Sequence, residues 1–247
     1  MKILVCISKT PDTTSRIAFS DNNTRFDEAG VQWIINPYDE WYALVRAIEL
    51  KEKDPAVVLH LVSVGGADCE PILRKALALG GDEAFRIDAA ANDSYLVARQ
   101  IAALCQREKY NLVFTGKEAI DSNNASLGGM LAELYDAEYV SLATQFELSA
   151  EGCTVTREVE GGEETISCPL PAVISCQKGM AEQRIPNMRG IMGARTKPLH
   201  VVAPEAVTPL TTITRYELPA PKAGVKLVSA DNVDELVRLL HEEAKVI

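Results

Sequence analysis

Residues Gly116–Leu134 read GKEAIDSNNASLGGMLAEL. An apolar run, Leu112-Val113-Phe114, precedes them and has the character of a buried strand. Asp121-Ser122-Asn123-Asn124 follow, small polar side chains that accept hydrogen bonds or cap a helix. Leu127, Met130, Leu131 and Leu134 then recur with helical spacing. Strand, polar loop and helix N-terminus together make a geometry that binds anions. The first N–H groups of a helix have no partner within it, and the helix dipole favours negative charge there. Two readings fit the stretch: a loop that holds a nucleotide phosphate, and an ordinary strand-to-helix turn capped by Ser126 or Asn124.

Working outward, the same alternation recurs upstream. Lys2–Ile7 is a short apolar strand, and Pro11 in the following Ser8-Lys9-Thr10-Pro11-Asp12 is expected to stop regular structure. Asp21-Asn22-Asn23 marks a turn in a polar excursion, Ile17–Gly30. Gln32–Ile35 runs into Asn36-Pro37-Tyr38-Asp39-Glu40, where Asn-Pro initiates a turn and Asp39 is placed to cap a helix. That helix carries Trp41, Leu44, Val45 and Ile48 on one face. Val57–Val64 is a continuous apolar run, as a strand covered on both faces should be. Pro71 opens a second helix that Gly80-Gly81 closes, Ala84–Ile87 is a strand, and Asp93-Ser94 caps a third helix. The order β, α, β, α, β, α, β, α predicts an α/β fold with a mainly parallel, doubly wound sheet. Ligands of such sheets lie beyond the carboxyl ends of the strands, so the ends after Ile7, Val64 and Thr115 are expected to converge.

Downstream the pattern changes. Val140–Leu148, Thr154–Val159 and Glu164–Cys168, with Gly161-Gly162 as a turn, predict an antiparallel meander at one sheet edge. Ala172–Cys176 and Leu199–Val202 are again strands. Between them, Gln177–Lys197 places Lys178, Arg184, Arg189, Arg195 and Lys197 among Met180, Met188, Ile191 and Met192. Basic and methionine-rich on an acidic chain, it is a candidate docking surface, the alternative being a solvated loop with a core-facing helix. Residues 1–203 are expected to form the nucleotide-binding α/β domain. Residues 204–247 form a proline-punctuated arm ending in a helix over Val233–Ala244, whose apolar face folds back or packs on another subunit.

Composition excludes several classes. The 247 residues carry a formal charge of −10, which argues against sequence-independent nucleic-acid binding and an anionic membrane surface. No apolar run reaches membrane-spanning length, and the N-terminus reads as a first strand rather than a leader. The six cysteines include no CxxC pair, so they are expected to be reduced, buried thiols in the cytoplasm. His60, His200 and His241 have no ligand-spaced partners, so no metal site is expected. No catalytic motif is present. Ser63-Val64-Gly65-Gly66-Ala67-Asp68 only partly matches the pyrophosphate loop of adenylating enzymes, because Cys69 stands where a second Ser belongs.

In order and spacing, several pieces together resemble the beta subunit of electron transfer flavoproteins. They are Leu4-Val5-Cys6-Ile7 with Pro11-Asp12, Asn36–Glu40, Arg74–Gly80, Gly116–Asp121, Arg157-Glu158 before Gly161-Gly162, Leu170–Val173, and Gly190-Ile191-Met192 followed by basic residues. The resemblance spans essentially the whole chain. It implies an adenine nucleotide alpha hydrolase-like fold and a heterodimer with an alpha subunit that carries most of an FAD site. It implies an electron carrier rather than an enzyme, with acyl-CoA dehydrogenase-type donors and a quinone oxidoreductase-type acceptor, as in fatty acid oxidation. A structural AMP would lie against Cys6, Asn36, Pro37, Tyr38, Asp39 and Val64. The rest of its site would be the loop from Gly116 through Lys117, Ala119, Asp121, Ser122, Asn123, Asn124 and Ala125 to Ser126. Tyr38 takes an aromatic position near the flavin. Met188 takes the anchor position of the family's recognition loop, with Arg184, Ile191 and Met192 around it. One departure stands out: Ala125-Ser126-Leu127-Gly128 replaces a polar residue, Gln, then Thr or Val, then Gly. Some members hold a second FAD in place of AMP and bifurcate electrons. A stand-alone adenine-nucleotide module and an adenylating enzyme are the other readings.

Overall fold

A computed structural model describes residues 1–222 and 224–247, so position 223 of the arm lies outside the described residues. The chain runs β1 (Lys2–Cys6), β2 (Lys9–Pro11), β3 (Phe19–Ser20), β4 (Arg25–Phe26), β5 (Trp33–Ile35), α1 (Asp39–Lys53) and β6 (Val58–Val64). A 3-10 turn (Ala67–Cys69) leads into α2 (Glu70–Leu79), then β7 (Glu83–Ile87), α3 (Ser94–Glu108), β8 (Leu112–Gly116) and α4 (Leu127–Tyr135). The meander is β9 (Glu138–Ser149), β10 (Gly152–Val159) and β11 (Gly162–Cys168), followed by β12 (Ala172–Cys176), α5 (Met188–Ala194) and β13 (Leu199–Val202). The last helix, α6 (Val233–Arg238), continues as a wider π turn over Leu239–Ala244.

Nine strands form one sheet in the order β11-β10-β9-β12-β8-β1-β6-β7-β13. Only the β9–β10–β11 pairings are antiparallel, so the mainly parallel sheet with an antiparallel edge is as expected. From β1 the chain steps to β6 and β7 on one side, then crosses to β8 on the other. The order therefore reverses between β1 and β8, and the crevice where open α/β sheets bind their ligands is the one beyond the carboxyl ends of these two strands.

Strand side chains alternate between two cores. Ile3, Val5, Leu59, Leu61, Leu112 and Phe114 pack with α1 and α2, while Leu4, Cys6, Val62, Val64 and Val113 pack with α3 and α4. All six cysteines are buried free thiols, and Cys153 faces Cys168 across β10–β11. Pro11 does not end regular structure directly after β1. It closes the short β2, which pairs antiparallel with β5 and brings the Asn36 turn back over the crevice. Asp93 caps α3 as expected, accepting from Leu96 N at 2.7 Å. Its other oxygen accepts from Thr211 N and Oγ1, which ties the arm to the body. Tyr216 of the arm stacks on Phe19 at 4.9 Å. No helix among the described residues is long and apolar enough to cross a membrane.

Candidate functional site

Cys6 and Val64 turn towards the α3–α4 face, and Thr115, two residues beyond Val113, shares that face. Burial pushes the Cys6 thiol well up, with smaller upward contributions from Cys105 and Glu40. Cys6 is therefore a neutral packing group at the crevice floor, unsuited to nucleophilic work.

The opposite wall is the start of α1. Asn36 is fully buried and both ends of its amide are engaged: Nδ2 donates to Glu118 O at 2.8 Å, and Oδ1 accepts from Ile120 N at 3.1 Å. This side chain therefore fastens the 116–126 loop to the β5–α1 turn. Gly116 packs so closely that a Cβ would stand 2.8 Å from Glu40 Cγ and 3.0 Å from Glu40 N, leaving room only for glycine. Glu40 itself is buried, accepting from Ser8 N and Ser8 Oγ at 2.6 Å each. Burial pushes its carboxyl up to about 8 against the lowering effect of both Ser8 bonds, and Asp121 and Asp39 add to the rise. It is thus mostly the neutral acid at pH 7. Sequence reasoning passed over Glu40 because a Glu in the first turn of a helix reads as ordinary dipole compensation.

Asp39 does not cap α1. It is the first helical residue, and the cap position belongs to Tyr38, which makes no side-chain cap bond. Burial raises the Asp39 carboxyl, while Lys117 and the Glu118 N–H hold it down. Lys117 itself pairs with Glu118 at 3.1 Å. Tyr38 stands 55 % exposed with φ 68° and ψ −97°, a conformation that costs a non-glycine residue about 1–3 kcal/mol. An exposed aromatic held in such a conformation points to a role outside the core.

The loop is similarly unrelaxed. Asp121, Ser122, Asn123, Asn124 and Ala125 are exposed, and Asn123 and Ala125 are left-handed, with φ 47° and 49°. Neither expected cap forms at α4. Ser126 occupies the cap position in a right-handed conformation without a side-chain bond. Asn124 instead donates to Ser94 Oγ at 2.7 Å, and its Oδ1 stands 3.5 Å from Ser126 N. The opening N–H groups of α4 are left without a side-chain partner beside the crevice.

A family model described as "Electron transfer flavoprotein domain" matches residues 23–207. The chain belongs to the electron transfer flavoprotein family. It is 36% identical to the electron transfer flavoprotein subunit beta of Bacillus subtilis (strain 168), with 100% of both chains covered. The corresponding subunit of Syntrophomonas wolfei is 35% identical over 92% of this chain and 90% of its own, and that of Homo sapiens 30% over 100% and 99%. The motif resemblance and the comparisons thus name the same family, whose members are electron carriers rather than catalysts in the usual sense.

A second surface lies along Gln177–Lys197. Two of its five basic residues, Arg184 and Lys197, are turned inward, while Lys178, Arg189 and Arg195 are exposed. Arg184 donates to Glu52 at 2.7 Å and lies 3.6 Å from Glu49, bracing the loop on α1. Trp41 Nε1 donates to Arg184 O at 3.1 Å, and Arg46 holds Met180 O through Nε at 3.0 Å and Nη2 at 2.6 Å. Met180 is fully buried and so is not part of the surface. At the far end, Arg74 donates to the carbonyls of Ala194 and Lys197, and Lys197 Nζ to those of Leu77 and Gly81. Between the two braces Met188 is 73 % exposed, and Met192 and Ile191 stand beside it. Ile185, 90 % exposed, was missed from sequence; an isolated Ile between Arg184 and Pro186 is the signal that marks it.

Proposed function

We propose that this chain is the beta subunit of a heterodimeric electron transfer flavoprotein that binds AMP in the β1–β8 crevice. The observation that carries the nucleotide reading is the α4 N-terminus: its N–H groups lack a side-chain cap, and it adjoins an exposed loop with two left-handed residues. Neutral donors of this kind fit a phosphate group. Cys6 and Val64 would floor the site. The Asn36-Pro37-Tyr38-Asp39 turn would wall it, and Gly116, Lys117, Ala119 and Asp121–Ser126 would close over it. The altered Ala125-Ser126 pair leaves phosphate binding to backbone N–H groups and hydroxyls.

FAD, shared with the alpha subunit, would supply the electron-accepting and electron-releasing chemistry. This chain's part is positional. Tyr38 would present its ring to the cofactor region. Met188, Ile191 and Met192, with Arg184 bracing their loop, would dock an acyl-CoA dehydrogenase-type donor, and a quinone oxidoreductase-type protein would be the acceptor. The arm, 204–247, would pack on the alpha subunit. Its exposed Val225, Leu227, Val233 and Val237 favour a partnered chain over a stand-alone nucleotide module.

Co-expression with the alpha subunit tests the assignment. A coloured heterodimer should form whose flavin absorbance is bleached by an acyl-CoA dehydrogenase with its substrate. A stable, colourless chain that ignores the alpha subunit would contradict it.

A further inference from the structure

Among the described residues, Thr10 Oγ1 and Thr115 Oγ1 are buried side-chain polar atoms without a hydrogen-bond partner. Thr115 is 1 % exposed and lies at the end of β8, one residue beyond the Val5–Phe114 pair and therefore beside Cys6 at the crevice. Its neighbours in the strand are apolar, and valine would fill the same volume without stranding a hydroxyl. Gly128, in the first turn of α4, shows where the hydroxyl points. A Cβ on Gly128 would stand 3.2 Å from Thr115 Oγ1 and 2.9 Å from the Tyr139 hydroxyl. The Tyr139 ring takes up the space that the missing Cβ leaves, its Cε2 2.8 Å from that position, and Thr115 has no hydrogen bond to either neighbour. α4 spans nine residues, and its first N–H groups lack a side-chain cap. An unpaired hydroxyl and unpaired helix N–H groups therefore meet at one place.

We infer that the Thr115 hydroxyl binds a phosphate oxygen of the nucleotide, supplying from the strand a contact that the altered Ala125-Ser126 loop lacks. This rests on the nucleotide reading above and adds to it a residue outside the 116–126 loop. The empty protein bears the cost of a buried hydroxyl with no partner, and the phosphate removes it. Affinity and stability should consequently move in opposite directions when the hydroxyl is deleted.

The test uses the co-expressed heterodimer as wild type, Thr115→Val, Thr115→Ser and Thr115→Ala. Binding of AMP, adenosine and inorganic phosphate is measured after nucleotide removal, and melting temperature is measured without nucleotide. Thr115→Val should lower the ratio of AMP to adenosine affinity about tenfold, equivalent to about 1.4 kcal/mol. It should weaken inorganic phosphate likewise and leave the empty complex melting at or above the wild-type temperature. Thr115→Ser should restore AMP binding. If the valine variant does not assemble, Thr115→Ala should show the same loss of AMP selectivity. Unchanged AMP binding in a variant lacking the hydroxyl would overturn the Thr115 inference while leaving the nucleotide reading intact. Equal loss of AMP and adenosine with a lowered melting temperature would reduce Thr115 to a packing role. A wild-type complex that binds no AMP would overturn both.

Discussion

The loop at 116–129 and the loop at 177–197 are incomplete in opposite ways. In the first, apolar packing is finished: Phe114, Val113 and Leu131 are buried, and Gly116 closes against Glu40. What it lacks is polar, namely a cap for α4 and a partner for Thr115. In the second, the inward-facing polar groups are satisfied. Arg184, Lys197 and the Met180 carbonyl each have partners, and Asn187 caps α5 by accepting from Gly190 N at 2.8 Å. What it lacks is apolar cover for Ile185, Met188 and Met192. Unsatisfied hydrogen-bonding groups at a helix N-terminus suit a small oxyanion. Exposed apolar side chains on a braced loop suit a protein surface. α1 and the turn before it join the two regions, with Asn36 in the turn and Asp39 and Glu40 at the helix start holding the first loop and Trp41, Arg46, Glu49 and Glu52 holding the second.

The largest effect that would sharpen this contrast concerns Glu40. Its carboxyl lies at about 8 in the folded protein against 4.5 unfolded. Below pH 4.5 both states are protonated. Between 4.5 and 8 only the unfolded state releases the proton, so folding stability falls as pH rises, and above 8 the loss is complete. Glu40→Gln, which mimics the neutral acid, should remove this decline and make the heterodimer more stable at pH 9 by about 5 kcal/mol. Denaturant titrations from pH 4 to 9 would show it, and parallel pH profiles for both proteins would contradict it. Next in size is Asn36→Ala. It strands the Ile120 N–H and the Glu118 carbonyl, costing about 3 kcal/mol. It should also lower AMP content, while docking at the second loop stays intact. The smallest change in stability belongs to Met188→Ala, within about 0.5 kcal/mol because the side chain is exposed. Its effect should appear as a KM for the donor dehydrogenase raised roughly tenfold with the flavin spectrum unchanged. If Asn36→Ala impaired docking or Met188→Ala emptied the nucleotide site, the two loops would not be separate.

The parallel core was legible because Lys2–Cys6, Val58–Val64 and Leu112–Gly116 are short apolar runs bounded by turn residues, and the latter two lead into helical periods. The place of the crevice followed from that order. Its chemistry was less legible, because it depends on distant pairs. Glu40 is buried by Ser8 and Gly116, which lie far from it in the chain, and nothing local separates it from a solvent-facing Glu. Thr115 reads as one more β-branched strand residue until the absence of a partner is seen. Arg184 reads as a free surface cation, yet its carboxylates come from α1, 132 residues earlier in the case of Glu52. The α4 cap failed for a local reason: Ser126 is right-handed rather than extended, so its hydroxyl does not reach back to the helix.

The most direct test of the account is the nucleotide content of the purified heterodimer, released by denaturation and separated by chromatography. One FAD and one AMP per heterodimer is the predicted result. FAD alone, or two FAD without AMP, would contradict the claim that the 116–129 loop holds an adenine mononucleotide.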